Sequence, residues 1–169
     1  MKFLLDTNVL SDFARGEQAV TARLRQEAPP QLAVSVITEM EVEYGLARNP
    51  NLAPRVREAM RTLLNTISVL PFEREDARVA AQLRTNLNSQ GAPIGAYDLL
   101  LAACALRRGL KVVTHNAREF VRVGGLGLED WHASRLQNPA ICLRLPDECL
   151  ARDPILNGIF LDEIQAPKP

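Results

Sequence analysis

Four carboxylates stand near the starts of helical patterns along this chain, and together they have the makings of a metal-dependent site. Asp6 closes the apolar run of FLLDTNVL, Glu41 lies in ITEMEVEYGLAR, Asp98 is in the first turn of IGAYDLLLAACALRRG, and Glu119 follows KVVTHN. Each has a structural account of its own. Asp6 can cap the helix beginning near Val9, Thr38-x-x-Glu41 and Asn116-x-x-Glu119 fit capping boxes, and the helix dipole favours Asp98. All four fit one site better than four coincidences. Carboxylates gathered in one crevice raise one another's pKa unless a cation neutralises them, and an all-oxygen donor set suits Mg²⁺ or Mn²⁺ and not zinc. A metal so held can lower the pKa of a bound water and so activate it.

The runs FLLDTN and KVVTHN both finish in a polar triplet ending in Asn. Two such strand ends side by side build one polar pocket, with Thr7, Asn8, Thr114 and Asn116 supporting the acids. Ligands of open parallel sheets bind just outside the carboxyl ends of strands, where the chain order reverses. On the helix that carries Glu41, the positions Ile37, Met40, Glu41 and Tyr44 follow i, i+3, i+4, i+7 spacing, which aims Glu41 inward along an apolar stripe. Glu39 and Glu43 share the opposite, solvated side with Val42 and Leu46. His115 reads as a bystander beside the site, and His132 has no visible role.

Apolar runs suited to buried parallel strands occur at Phe3–Leu5, Leu32–Val36, Ile67–Leu70 and Lys111–Thr114, with a weaker one near Leu126–Leu128. Helical patterns separate them at Val9–Arg15, Ala19–Glu27, Ile37–Arg48, Pro54–Thr66, Glu73–Ser89, Ala96–Arg108 and Arg118–Val123. The alternation predicts an α/β fold with a parallel sheet covered on both faces. Gly124-Gly125-Leu126-Gly127 reads as a turn before the last strand, and Cys104 as a small core residue. Composition shifts after Trp131, and residues 133–169 hold five of the eleven prolines. They are nonetheless apolar enough to pack, so residues 1–132 form the domain and 133–169 an extension on the core or on a partner subunit. Ile155, Ile159 and Phe160 are its expected anchors, with a short helix around Ile155–Ile164.

Formal charge is zero, with 20 basic and 20 acidic residues, and all but three of the basic ones are Arg. That balance neither marks nor excludes a nucleic-acid partner. No apolar run is long enough to span a membrane, no signal peptide is visible, and the three cysteines form no CxxC pair, so a cytoplasmic protein is expected. GxSxG and GxxxxGK[ST] are absent, as is any local zinc-ligand spacing. A phosphatase using Asp6 as nucleophile, in the manner of haloacid dehalogenases, would carry a second Asp where this chain has Asn8.

In order along the chain, LLDTNVLSD, TEMEVEYGL, AYDLLLAACAL, VTHNAREF and LGLEDW resemble the motifs of the PIN-domain family, specifically the VapC-like toxins of toxin–antitoxin pairs. The resemblance covers about residues 2–131. It implies a three-layer α/β/α fold around a sheet of about five strands, and Mg²⁺-dependent endoribonuclease activity. It implies Asp6, Glu41, Asp98 and Glu119 as catalytic metal ligands, RNA as substrate, a VapB-like antitoxin as partner and a homodimer. The family pattern has Asp immediately before the Phe of the fourth motif, where this chain has Glu119. Val56, Met60, Leu63 and Leu64, on a helix that a small sheet leaves partly uncovered, point to the same dimer. A housekeeping PIN nuclease without an antitoxin, and a non-catalytic PIN scaffold that binds RNA or protein, are the alternatives.

Overall fold

The computed structural model describes residues 1–132. The expectations for residues 133–169 lie outside the described residues. Five strands alternate with helices in the order β1 (Phe3–Leu5), α1 (Thr7–Ala14), α2 (Gln18–Gln26), β2 (Leu32–Ser35), α3 (Val36–Arg48), α4 (Pro54–Thr66), β3 (Ser68–Leu70), α5 (Arg74–Ser89), α6 (Ala96–Arg108), β4 (Lys111–Val113), α7 (Ala117–Phe120) and β5 (Gly127–Glu129). The strands are short and apolar because both sheet faces are covered. All pair in parallel, in the spatial order β3-β2-β1-β4-β5.

The two-residue period of the strands divides the core. Phe3, Leu5, Val34 and Val113 point to one face, where they meet Val9 and Leu10 of α1, Val20 and Leu24 of α2, Val42 and Leu46 of α3 and Leu63 and Leu64 of α4. Leu4, Ala33 and Val112 point to the other, against Leu87 of α5, Leu99 to Ala105 of α6 and Phe120 of α7. The result is the three-layer α/β/α arrangement that the strand and helix alternation predicts. Trp131 follows β5 into the first face and meets Phe3 edge to face, with ring centroids 5.6 Å apart.

Chain order reverses at β1, whose neighbours are β2 on one side and β4 on the other. The carboxyl ends of β1 and β4 therefore form the crevice that an open parallel sheet offers a ligand. Behind that crevice α6 is sheathed by the sheet and α5. Its far end is fixed by Arg107 and Arg108, which donate to the fully buried Asp76 of α5 (Arg107 Nε and Arg108 Nη1 both at 2.6 Å from Oδ1), while Arg107 also pairs with Glu73. Gly109 then turns the chain at φ +64°, a conformation that costs glycine nothing.

Two helical faces differ from the sequence-based expectation. On α3 the buried positions are Thr38, Val42 and Leu46, whereas Met40 and Tyr44 are exposed, with Val36 beside them. The inward stripe is thus i, i+4, i+8 from Thr38, because α3 packs over α1 and α4 with that face. On α4, Leu63 and Leu64 are buried and Met60 packs on the same core. The apolar side of α4 packs on α1 within the chain, leaving Val56 and Met60 only partly exposed.

Candidate active site

Asp6 sits at the end of β1, where its backbone N–H donates to Val113 O of β4 at 3.0 Å. Asp6 is 7% exposed, and both of its oxygens accept hydrogen bonds, with a lone pair left on Oδ1. Oδ1 accepts from Thr7 N at 2.7 Å; Oδ2 accepts from Asn8 Nδ2 at 2.6 Å and from Thr114 Oγ1 at 2.8 Å. Asp6 therefore does cap α1, and the cap and the crevice share one carboxylate. Thr114, buried one residue past β4, also accepts from Asn8 Nδ2 and from Asn116 N, both at 2.9 Å. Its hydroxyl uses one donor and two acceptor positions, so its orientation is determined. The two polar triplets interlock across 108 residues of sequence. Burial holds the Asp6 carboxyl above its usual range; the bonds from Thr114, Thr7 N and Asn8 work against that rise.

Glu41 enters from α3. It takes no part in a capping box: Ser35 caps α3 by accepting from Thr38 N at 3.1 Å. Glu41 Oε2 instead accepts from Thr7 Oγ1 at 2.6 Å, which aims it at the end of β1. Thr7 thus supports two acids, Asp6 through its backbone and Glu41 through its hydroxyl.

Asp98 stands in the first turn of α6 and is half-buried. Its carboxyl is pushed up to about 6, first by burial and then by the charges of Asp6, Glu119 and Glu41. Gly95 leaves room for it: a Cβ there would lie 2.9 Å from Asp98 Oδ2. Glu119 comes from α7, where Asn116 makes no side-chain cap bond, so the second predicted capping box is also missing. Arg122 Nη1 lies 3.6 Å from Glu119 Oε2.

The fold brings all four predicted acids and their four supporting residues to one crevice. The acids outnumber the cations there, and among the described residues nothing donates to Asp98. The donor set is all oxygen and crowded with negative charge, which fits a hard divalent ion such as Mg²⁺ or Mn²⁺.

Sequence reasoning missed a neighbouring cluster. Asp12 Oδ2 lies 3.0 Å from His115 Nδ1 and 2.9 Å from His132 Nε2. These residues come from α1, the loop after β4 and the segment after β5, so no local spacing could have disclosed them. Gly95 was missed for the same reason, since its contact with Asp98 exists only in the helix turn.

Residues 3–126 match the PIN domain family. The chain is 35% identical over 131 residues to a protein of Shigella flexneri named tRNA(fMet)-specific endonuclease VapC, covering 78% of this chain and 98% of that one. It is 33% identical over 132 residues, with the same coverage, to ribonuclease VapC2 of Haemophilus influenzae. Among solved structures, it resembles DNA-bound VapBC from Salmonella typhimurium at TM-score 0.70 and 34% identity, covering 78% of this chain and 98% of that one. VapBC2 from Rickettsia felis bound to a promoter DNA fragment matches at TM-score 0.69 and 26% identity, covering 78% and 99%.

Proposed function

The chain belongs to the PIN-domain family, and we propose that it is a Mg²⁺-dependent endoribonuclease, the toxin of a VapBC-type pair, hydrolysing RNA phosphodiester bonds in the cytoplasm. The observation that carries this reading is the meeting of Asp98 with Asp6, Glu41 and Glu119 at the sheet's switch point, where mutual repulsion and burial hold Asp98 near 6.

Asp6, Asp98, Glu41 and Glu119 would hold the ion. When bound, it supplies a more acidic water and neutralises charge developing on the scissile phosphate. Thr114 and Asn8 keep the Asp6 carboxylate in one orientation by donating to Oδ2, and Thr7 does the same for Glu41. Thr7 Oγ1 donates to Glu41, and Asn8 Nδ2 donates to Asp6 and to Thr114 Oγ1, so these residues position ligands and are not proton carriers. Asp98 lacks a donor among the described residues, and burial followed by the neighbouring charges pushes its carboxyl up to about 6. Pre-set orientation of this kind lowers the reorganisation needed at the reacting phosphate.

RNA cleavage by the purified chain tests the proposal, with tRNA as the first substrate because relatives carry that name. Cleavage is expected with Mg²⁺ or Mn²⁺ and none in EDTA; metal-independent cleavage refutes it.

A VapB-like antitoxin as partner fits the VapBC assemblies found for similar chains. We further assign a homodimer, supported by the exposed Val36, Met40 and Tyr44 on one face of α3, in place of the α4 surface expected from sequence. Tyr44→Glu should yield a monomer in light scattering. Residues 1–132 would be the nuclease domain, with 133–169 an extension that adds no metal ligand. Among the described residues no helix is long and apolar enough to cross a membrane.

A further inference from the structure

We propose that Asp12, His115 and His132 form a second metal site, selective for Zn²⁺-class ions and separate from the carboxylate cluster. Their three ligand atoms all lie within 4.8 Å of one another. An ion bound at about 2.0–2.1 Å from each donor needs donor separations of roughly 3.0–3.5 Å. The two Asp–His distances, 3.0 and 2.9 Å, lie at and just under the short end of that range. The two imidazoles, with ring centroids 5.2 Å apart at 89°, each present a nitrogen to the same Asp12 oxygen.

The donors differ in kind from those of the catalytic crevice. Two imidazole nitrogens and one carboxylate oxygen match zinc, copper or nickel, whereas Mg²⁺ prefers oxygen and retains its waters. Three protein ligands leave a position open for solvent or an anion. The site is also built on fixed supports. Asp12 is part of α1 and its side chain is only 13% exposed. His115 is tied to the catalytic triplets through its backbone N–H, which donates to Asn8 Oδ1 at 3.4 Å. His132 follows directly on the buried Trp131, which Phe3, Arg23 and Glu129 hold in place. An ion here would join α1, the loop after β4 and the segment after β5.

The competing account is a plain Asp–imidazole cluster, with Arg15 Nη1 at 4.0 Å as a further cation on Asp12. In that account the groups attract protons and no metal. The two accounts differ in a direct measurement. The full-length, tag-free chain is titrated with ZnCl₂ by calorimetry in excess Mg²⁺, and in parallel with CoCl₂ while visible absorption is recorded. One equivalent should bind, and Co²⁺ should show the absorption of nitrogen-ligated, low-coordinate metal. His115→Asn and His132→Asn should each weaken Zn²⁺ binding by at least the roughly 10–100-fold that loss of an outer-shell partner causes, with circular dichroism confirming that both fold. Asp98→Asn, which alters the other cluster, should leave it intact. The proposal is overturned if no equivalent binds, if either folded histidine variant binds as the parent does, or if Asp98→Asn abolishes binding.

Discussion

Replacing Asp98 by Asn should remove activity and raise stability together, because the same burial and crowding that prepare the site strain the folded chain. The substitution keeps shape and deletes one charge. In the parent the Asp98 carboxyl stands at about 6 against its ordinary 3.8, so the folded state resists ionising it. Carried in full, that rise corresponds to roughly 3 kcal/mol. Asp98 is half-buried, and solvent screening reduces the figure to about 1–2 kcal/mol. The sign follows from linkage. The folded pKa is the higher one, so between 3.8 and 6 the folded state binds more protons, and stability falls as pH rises through that window. Above it the penalty is complete. In EDTA at pH 7.5 the variant should therefore melt about 3–8 °C above the parent, and the gap should close on acidification towards pH 4. Added Mg²⁺ should favour the parent, since ligand binding stabilises the state that binds it more tightly. Thermal melts across pH, with and without Mg²⁺, measure all three. A variant that melts below the parent in EDTA, or whose advantage persists unchanged at pH 4, refutes the crowding argument. Undiminished cleavage refutes the site.

Gly95→Ala should lower cleavage by roughly ten- to a hundredfold, because the new methyl displaces the Asp98 carboxylate, while the melting temperature holds or rises; unchanged kinetics would show that Asp98 has room to spare. Asp76→Ala should cost about 2–3 kcal/mol in denaturant unfolding, since it strands Arg107 and Arg108. Burial works against ionising Asp76, but bonds from Arg108, Glu73 N and Arg107 outweigh it and hold the carboxyl below 3.8, so its contribution is complete above that pH and disappears only on stronger acidification. Deleting residues 135–169 should reduce stability or solubility, yet the soluble fraction should still cleave RNA with Mg²⁺; a truncated chain as stable as the parent but inert would place the extension in the site.

The strands and helices were readable because period and punctuation agree. Pro54 opens α4, Ala96–Arg108 is apolar almost throughout, and Phe3–Leu5 is bounded by a charged residue on each side. The acids were readable because Asp6 and Glu119 stand just beyond the apolar runs of β1 and β4 and Asp98 lies in the first turn of α6, while Glu41 lies one turn further into α3. What failed depended on partners distant in sequence. The inward face of α3 is set by α1 and α4, and its own apolar residues lie on both sides, so the period alone chose Met40 and Tyr44 over Val42 and Leu46. The capping boxes failed because a cap needs only one oxygen: Ser35 took that role for α3 and left Glu41 available to Thr7. His132 drew no attention because its partner Asp12 is 120 residues away.

The interlocked triplets carry a consequence for synthesis. Asp6 leaves the ribosome 108 residues ahead of Thr114, whose hydroxyl orients it, and β1 has no β4 beside it until those residues follow. At about 5–20 residues per second the interval is roughly 5–20 s. Through that time the nascent chain has an acid without its aligning donor and a sheet without its switch point. The site is therefore assembled late and in one step, when β4 pairs with β1, so a finished carboxylate cluster also reports that the sheet has closed.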